Sequence, residues 1–278
     1  MKVVLSRKGF DSSIGGHASP ILPDGKMVSL PIPSSHDTLR YEDVLTRAGM
    51  TCTQLLRELH SNADLTGKGA HLDPDLSASS LSHRPRGWRP SLGQNNQAAS
   101  HLQDQEVGLG DLFLFYGWFK RTIRSGDRLR FEADSSSHTI FGYLEISEVY
   151  RTLNNMALPS WMSSHLHCAL HRVNNRHNMI YVATDRLSWN RSLPGAGLFD
   201  YSQRQVLTAP GRSRSKWSLD PAVFGDANIS YHSANAWRAG YFQSYSRGQE
   251  YVIQDTANVE RWAQDLVSAC AISERLPD

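Results

Sequence analysis

A chain of 278 residues with 40% hydrophobic and 20% charged side chains has the make-up of an ordinary globular protein, long enough to bury a full core. Its 29 Lys and Arg against 27 Asp and Glu leave a formal charge of +2, too balanced for affinity won mainly by neutralising phosphates, which excludes sequence-blind coating of nucleic acid. Cys52, Cys168 and Cys270 are widely spaced and odd in number, so no disulfide framework or CxxC metal site is implied, a reducing cytoplasm is expected, and no segment approaches the length of a membrane span.

The first apolar run, Val3 to Leu5, is β-branched and leads straight into Arg7-Lys8-Gly9-Phe10-Asp11, which predicts a buried strand running into a polar loop. Such loops hold binding groups in fixed positions within reach of water. Arg7 is therefore a candidate for holding substrate and Asp11 for catalysis, the plain alternative being an Arg-Asp pair that closes the loop. Pro23-Asp24-Gly25 supplies the dihedrals of a tight turn, predicting a hairpin from Ser19 to Pro31. From Tyr41 the spacing of Val44, Leu45 and Ala48 predicts a helix ended by Gly49, and Thr53 is placed to cap a second helix carrying Leu55, Leu56 and Leu59.

His71-Leu-Asp73-Pro-Asp75 sets three acid-base or ligand side chains at alternate positions. Residues two apart in an extended segment project to one side, so His71, Asp73 and Asp75 are candidates for catalysis and, as mixed nitrogen and oxygen donors, for a divalent ion such as iron or manganese. The alternative is an Asx-Pro turn with solvated carboxylates. Ser77 to Gln97 is polar enough to read as a long loop, in which Trp88 and Gln94 offer a flat ring and an amide edge suited to a base. His101 falls on a short helix beyond it and completes this group of candidate substrate contacts.

Gly108 to Val149 is the organising stretch. Leu112 to Tyr116 is apolar on both faces, which predicts a central strand, and Ile140 to Val149 returns beside it with a bulge expected at Gly142. Trp118 projects from this hairpin as a possible stacking platform, while Arg121, Arg124, Arg128 and Arg130 between the strands read as a solvated face. The Gly-Asp turn into a hydrophobic strand, with its return strand, resembles the barrel core of PUA-like domains, which bind RNA or modified bases.

Beyond it, His165 and His167 have the two-residue spacing of a metal-ligand pair, yet no HExxH or carboxylate completes a known helix-borne spacing, so they read better as surface or hydrogen-bonded core histidines and rank behind the His71 group as ligands. Met179 to Ala183 reads as a strand. The tail turns at Arg247-Gly-Gln-Glu250 into a strand ending at Ile253, making Arg247 a candidate substrate contact and Glu250 a candidate catalytic group. Val259, Trp262, Ala263, Leu266 and Cys270 then fall on one face of a closing helix.

With these segments laid out, the chain resembles the third class of nucleotide-modification-associated domains over nearly its whole length. The resemblance rests on Leu5 to Ser13, Pro20 to Gly25, His71 to Leu76, Gly87-Trp88 with Gly93-Gln94, Gly110 to Phe119, and Arg247 to Glu250. It implies work close to nucleotide or nucleic-acid modification and carries no reaction with it. The sequence thus predicts an α+β protein, one compact domain over residues 1–278, with a mixed or PUA-like barrel sheet and a few short helices. Its expected partners are a nucleotide, nucleobase or nucleic acid, handled by an enzyme in a polar Arg/Asp/His pocket; the alternative is a PUA-like reader that stacks a base on Trp88 or Trp118. Arg7, Asp11, His71, Asp73 and Glu250 are expected to gather around one cleft.

Overall fold

A computed structural model of the chain describes residues 1–63, 65–151, 158–169, 172, 175, 177–245, 250–254 and 256–272. The strands in chain order are β1 (Val3–Arg7), β2 (Ser19–Ile21), β3 (Ile32–Ser34), β4 (Gly69–His71), β5 (Ser91–Gln94), β6 (Leu112–Ser125), β7 (Arg128–Phe131), β8 (Ser137–Arg151), β9 (Met179–Ala183), β10 (Ala196–Leu198), β11 (Lys216–Trp217), β12 (Trp237–Arg238), β13 (Tyr241–Gln243) and β14 (Glu250–Ile253). The main sheet runs β14-β1-β6-β8-β9-β5, with β2 and β7 added to β6 and β10 to β8. β1 lies parallel to β6 and antiparallel to β14, so the sheet is mixed and the architecture α+β.

Two-residue periodicity assigns the layers. Val3 and Leu5 of β1 with Leu112, Leu114 and Tyr116 of β6 face the closing helix Ala257–Cys270, which buries Val259, Ala263, Leu266 and Val267 against them. Val4, Phe113 and Phe115 point the other way and pack with Ala99 and Leu102 of the helix Asn96–Asp104. A third cluster, under the helix Cys52–Glu58, joins Phe10, Leu30, Tyr41, Leu55 and Ala70 and supports β3 and β4. Among the described residues no helix is long and apolar enough to cross a membrane.

The central strand, the bulge opposite Gly142 (where Phe115 pairs Gly142 and Tyr116 pairs Ile140), the Met179–Ala183 strand and the closing helix agree with the sequence. Four features differ. No closed barrel exists among the described residues: β14 and β5 end the path unpaired with each other, because β1 inserts beside β6 in parallel and spreads the sheet sideways. The predicted helix from Tyr41 is a turn region instead, drawn into a loop by Thr46 N–H donating to Met50 O and Cys52 N–H to Val44 O. The next helix starts two residues early, because Thr51 and Gln54 form a reciprocal capping box. Within the expected loop, Ser91–Gln94 is a fully buried edge strand on β9.

The double-sided burial of β6 sets its sensitivity. Leu114 is 0% exposed, so Leu114→Ala should cost about 2–5 kcal/mol through lost transfer energy and a cavity, seen as a lower urea midpoint with an unchanged slope.

A candidate metal centre and its clefts

Three elements carry the cluster. His71 ends β4, Asp73 follows in the turn after it, and His167 sits in a short 3₁₀ turn, Leu166–Cys168, packed on β5. Asp73 Oδ2 lies 4.0 Å from His71 Nε2 and 3.9 Å from His167 Nε2. One ligand atom from each of the three residues falls within 4.8 Å of the others.

Each imidazole is held by its far nitrogen. His71 Nδ1 lies 2.8 Å from Asp37 Oδ2, and Arg172 grips the same carboxylate with two nitrogens at 2.5 and 3.0 Å. Burial works against that charge, but the hydrogen bonds from His71 and Arg172 hold the Asp37 carboxyl far below the usual range. An ionised carboxylate only accepts, so His71 Nδ1 carries the proton and Nε2 presents its lone pair to the cluster. The same logic fixes His167. Asn178 Nδ2 donates to the His167 carbonyl at 2.7 Å, which turns Asn178 Oδ1 toward His167 Nδ1 at 2.7 Å as an acceptor. Burial pushes the His167 ring down to about 3 against that hydrogen bond, with the charges of Arg172 and Lys8 helping, so it is neutral near pH 7. Outer acceptors that set tautomer and orientation in this way are the usual supports of metal-ligating histidines.

Asp73 is fixed as firmly. Its Oδ1 accepts from Gly93 N at 2.7 Å, leaving Oδ2 to the cluster. Gly93 has a second role, since a Cβ there would lie 2.2 Å from the His167 ring. Gly69 does the same for the outer shell, where a Cβ would meet Asp37 O at 1.9 Å.

A cleft of about 410 Å³ opens on the cluster, and Arg7, Lys8, Gln94 and Arg172 join His71, Asp73 and His167 in its wall. Glu250 lies behind this wall. Its Oε1 accepts from Lys8 Nζ at 3.2 Å and from Gln94 Nε2, while Oε2 has no hydrogen-bond partner among the described residues. Burial raises the Glu250 carboxyl and the Lys8 ammonium opposes that rise. Asp11 faces a neighbouring cleft that shares Arg7 and Lys8, where Arg7 Nη2 stands 3.9 Å from Asp11 Oδ2. Trp118 lines that second cleft.

Asp75 does not join His71 and Asp73. Its backbone is drawn onto β5, where Asp75 N–H donates to Ser91 O and Ser91 N–H to Asp75 O, both at 3.0 Å. Asp75 is instead clasped by both terminal nitrogens of Arg84 at 2.5 and 2.7 Å and by Trp88 Nε1 at 3.3 Å. His167 occupies the third position. Trp88 has Arg84 stacked 4.2 Å above its ring and borders a third cleft with His165. His101 stacks on Tyr231 at 4.1 Å and bonds Ser230, away from the cluster cleft. Arg247 lies outside the described residues. In the sequence His167 stands out without its carboxylate, because Asp73 lies far earlier in the chain; Asp37, Arg172 and Asn178 carry no signal of their own.

The fold and the cluster define a class: an open mixed-sheet α+β protein with two histidines and one carboxylate converging at a cleft. The family described as nucleotide modification associated domain 3 matches residues 2–254, and the chain belongs to that family. No curated protein and no solved structure matches it.

The two aspartates should separate in experiment. Asp75→Asn leaves Arg84 without its counter-charge in a buried pair and should cost about 3–5 kcal/mol in a thermal melt while metal binding survives. Gly93→Ala should do the reverse, keeping the circular dichroism spectrum while weakening Mn(II) binding about tenfold or more, because the His167 ring must move.

Proposed function

We propose that the chain works as one unit, a metal-dependent enzyme acting on a nucleotide or nucleobase, with Fe(II) or Mn(II) held by His71 Nε2, His167 Nε2 and Asp73 Oδ2. The observation that carries this reading is the pre-set donor set: both rings are locked through Nδ1, and one carboxylate oxygen is locked by Gly93, so three lone pairs face one point. Two imidazoles and one carboxylate on one side of an ion are the donor set of non-haem iron sites, with the remaining positions open to substrate. Family membership supports the nucleotide as substrate.

When bound, the ion supplies Lewis-acid or redox chemistry at the cleft. The chain's own residues orient and screen. Arg172 pairs with Asp37, keeps it ionised and so keeps the His71 tautomer in place, while the Lys8–Glu250 pair backs the cleft wall. Burial of His71, Asp73 and His167 limits water around the three donors.

A base reader has less support. The two tryptophans suited to stacking each have one ring face covered, Trp88 by Arg84 and Trp118 by Arg214.

The test is metal content and turnover together. Purified protein supplied with Fe(II) or Mn(II) should take up one ion per chain and convert a member of a deoxynucleotide panel. Asp73→Asn should lose the ion and the turnover with a melting temperature close to the parent's, and equal uptake by the mutant and the parent would reject the assignment.

A further inference from the structure

We propose that the cleft beside the cluster, walled by Arg7, Arg214, His138 and Trp118, is a subsite for a terminal phosphate, so that the substrate is a nucleoside monophosphate anchored there with its remainder reaching the metal cleft. This deepens the metal-enzyme reading and rests on it for the direction in which the ligand lies.

The wall is rich in donors and positive charge. Arg214 makes no ion pair among the described residues; its guanidinium rests 3.8 Å over the Trp118 ring. Burial lowers its pKa, the Arg7 charge lowers it further, and Asp11 opposes both. Two guanidiniums therefore act on each other across a cleft of about 440 Å³. Asp11 brings one negative charge against these two positive ones, and its Oδ1 is held by Ser13 N, Ser13 Oγ and Ile14 N at 2.7 to 2.8 Å.

His138 adds a neutral donor. Trp217 Nε1 donates to His138 Nδ1 at 3.1 Å, and an indole N–H can only donate, so the His138 proton sits on Nε2. The residue is 7% exposed and lines the cleft. Burial, with the Arg214 and Arg7 charges, pushes the ring down to about 3, so His138 offers an N–H without adding charge. Two guanidinium forks and a neutral N–H suit a dianion with three acceptor oxygens, which a phosphate monoester is near pH 7 and an internal phosphodiester is not. The nearly balanced charge of the whole chain also favours a small ligand over a long polyanion.

Arg7 and Lys8 line both this cleft and the one that opens on His71, Asp73 and His167. A phosphate held between Arg7 and Arg214 therefore sits next to the residues that also wall the cleft of the three donors, and we place the rest of the nucleotide over them. A carboxylate shares the anion chemistry, and the test separates the two.

The experiment is calorimetric titration of the Mn(II)-loaded full chain with deoxynucleoside 5′-monophosphates and the matching deoxynucleosides, with inorganic phosphate and succinate as competitors. At least one monophosphate should bind about tenfold or more tightly than its nucleoside, and phosphate should displace it. Arg214→Gln should bring the monophosphate to the nucleoside's affinity while Mn(II) uptake stays at the parent level; if that variant fails to fold, Arg214→Lys should give an intermediate loss. Equal affinity for monophosphate and nucleoside, no monophosphate binding, parent-like binding by the Arg214 variant, or displacement by succinate but not phosphate would each overturn the subsite. Monophosphate binding that survives Arg214→Gln with Mn(II) taken up would remove the subsite alone, whereas Arg214-dependent binding without any Mn(II) uptake would remove the metal reading alone.

Discussion

The insertion of β1 between β14 and β6 is the pairing on which the remaining architecture depends. It sets Ser6 opposite Glu250 and Leu5 beside Leu114, so the two ends of the matched region become neighbours at one end of the sheet. The strand then delivers Arg7 and Lys8 to the mouth of both clefts. Lys8 is buried against Glu250 there, a pair whose desolvation is tolerable because each charge has the other and Gln94 adds a further bond. A parallel neighbour on one side and an antiparallel one on the other also spreads the sheet open, leaving both faces to be covered by helices and the cluster to form at one side.

The cluster itself is an arrangement of buried polar groups satisfied from outside. Asp37, Arg172, Asn178 and Gly93 use up the outward-facing capacity of His71, His167 and Asp73, and what is left over points inward. A site whose purpose was only to fill space would be cheaper with apolar side chains, since each buried polar group needs a partner. Asp75 shows the structural alternative in the same loop: its carboxylate is consumed by Arg84 and Trp88 and has no free direction.

Much of the sheet was legible because it is written in apolar runs. Leu112 to Tyr116 and Met179 to Ala183 are continuous, and Val259 to Cys270 repeats at helical spacing. The edge strand Ser91–Gln94 was hidden because its serine, glycine and glutamine are buried for the sake of the site, Gln94 on Glu250 and Gly93 beneath His167, and their polarity imitates a loop. Barrel closure was misjudged for a related reason: a hairpin reports pairing between chain neighbours, whereas the β1–β6 contact is long-range and leaves no local pattern. In the candidate site, His71 and Asp73 could be read from their spacing, but Asp75 is turned away by its long-range backbone pairing with Ser91 and by Arg84, which spacing cannot encode.

The account turns on whether one ion sits among three named atoms. The most direct measurement is a crystal of the full chain soaked in Mn(II), with an anomalous difference map collected at a wavelength sensitive to manganese. One peak bonded to His71 Nε2, His167 Nε2 and Asp73 Oδ2, about 2.0–2.2 Å from each, is the predicted result. A map with no peak at these atoms at saturating Mn(II), or with the ion on Asp75 or His165 instead, would contradict it.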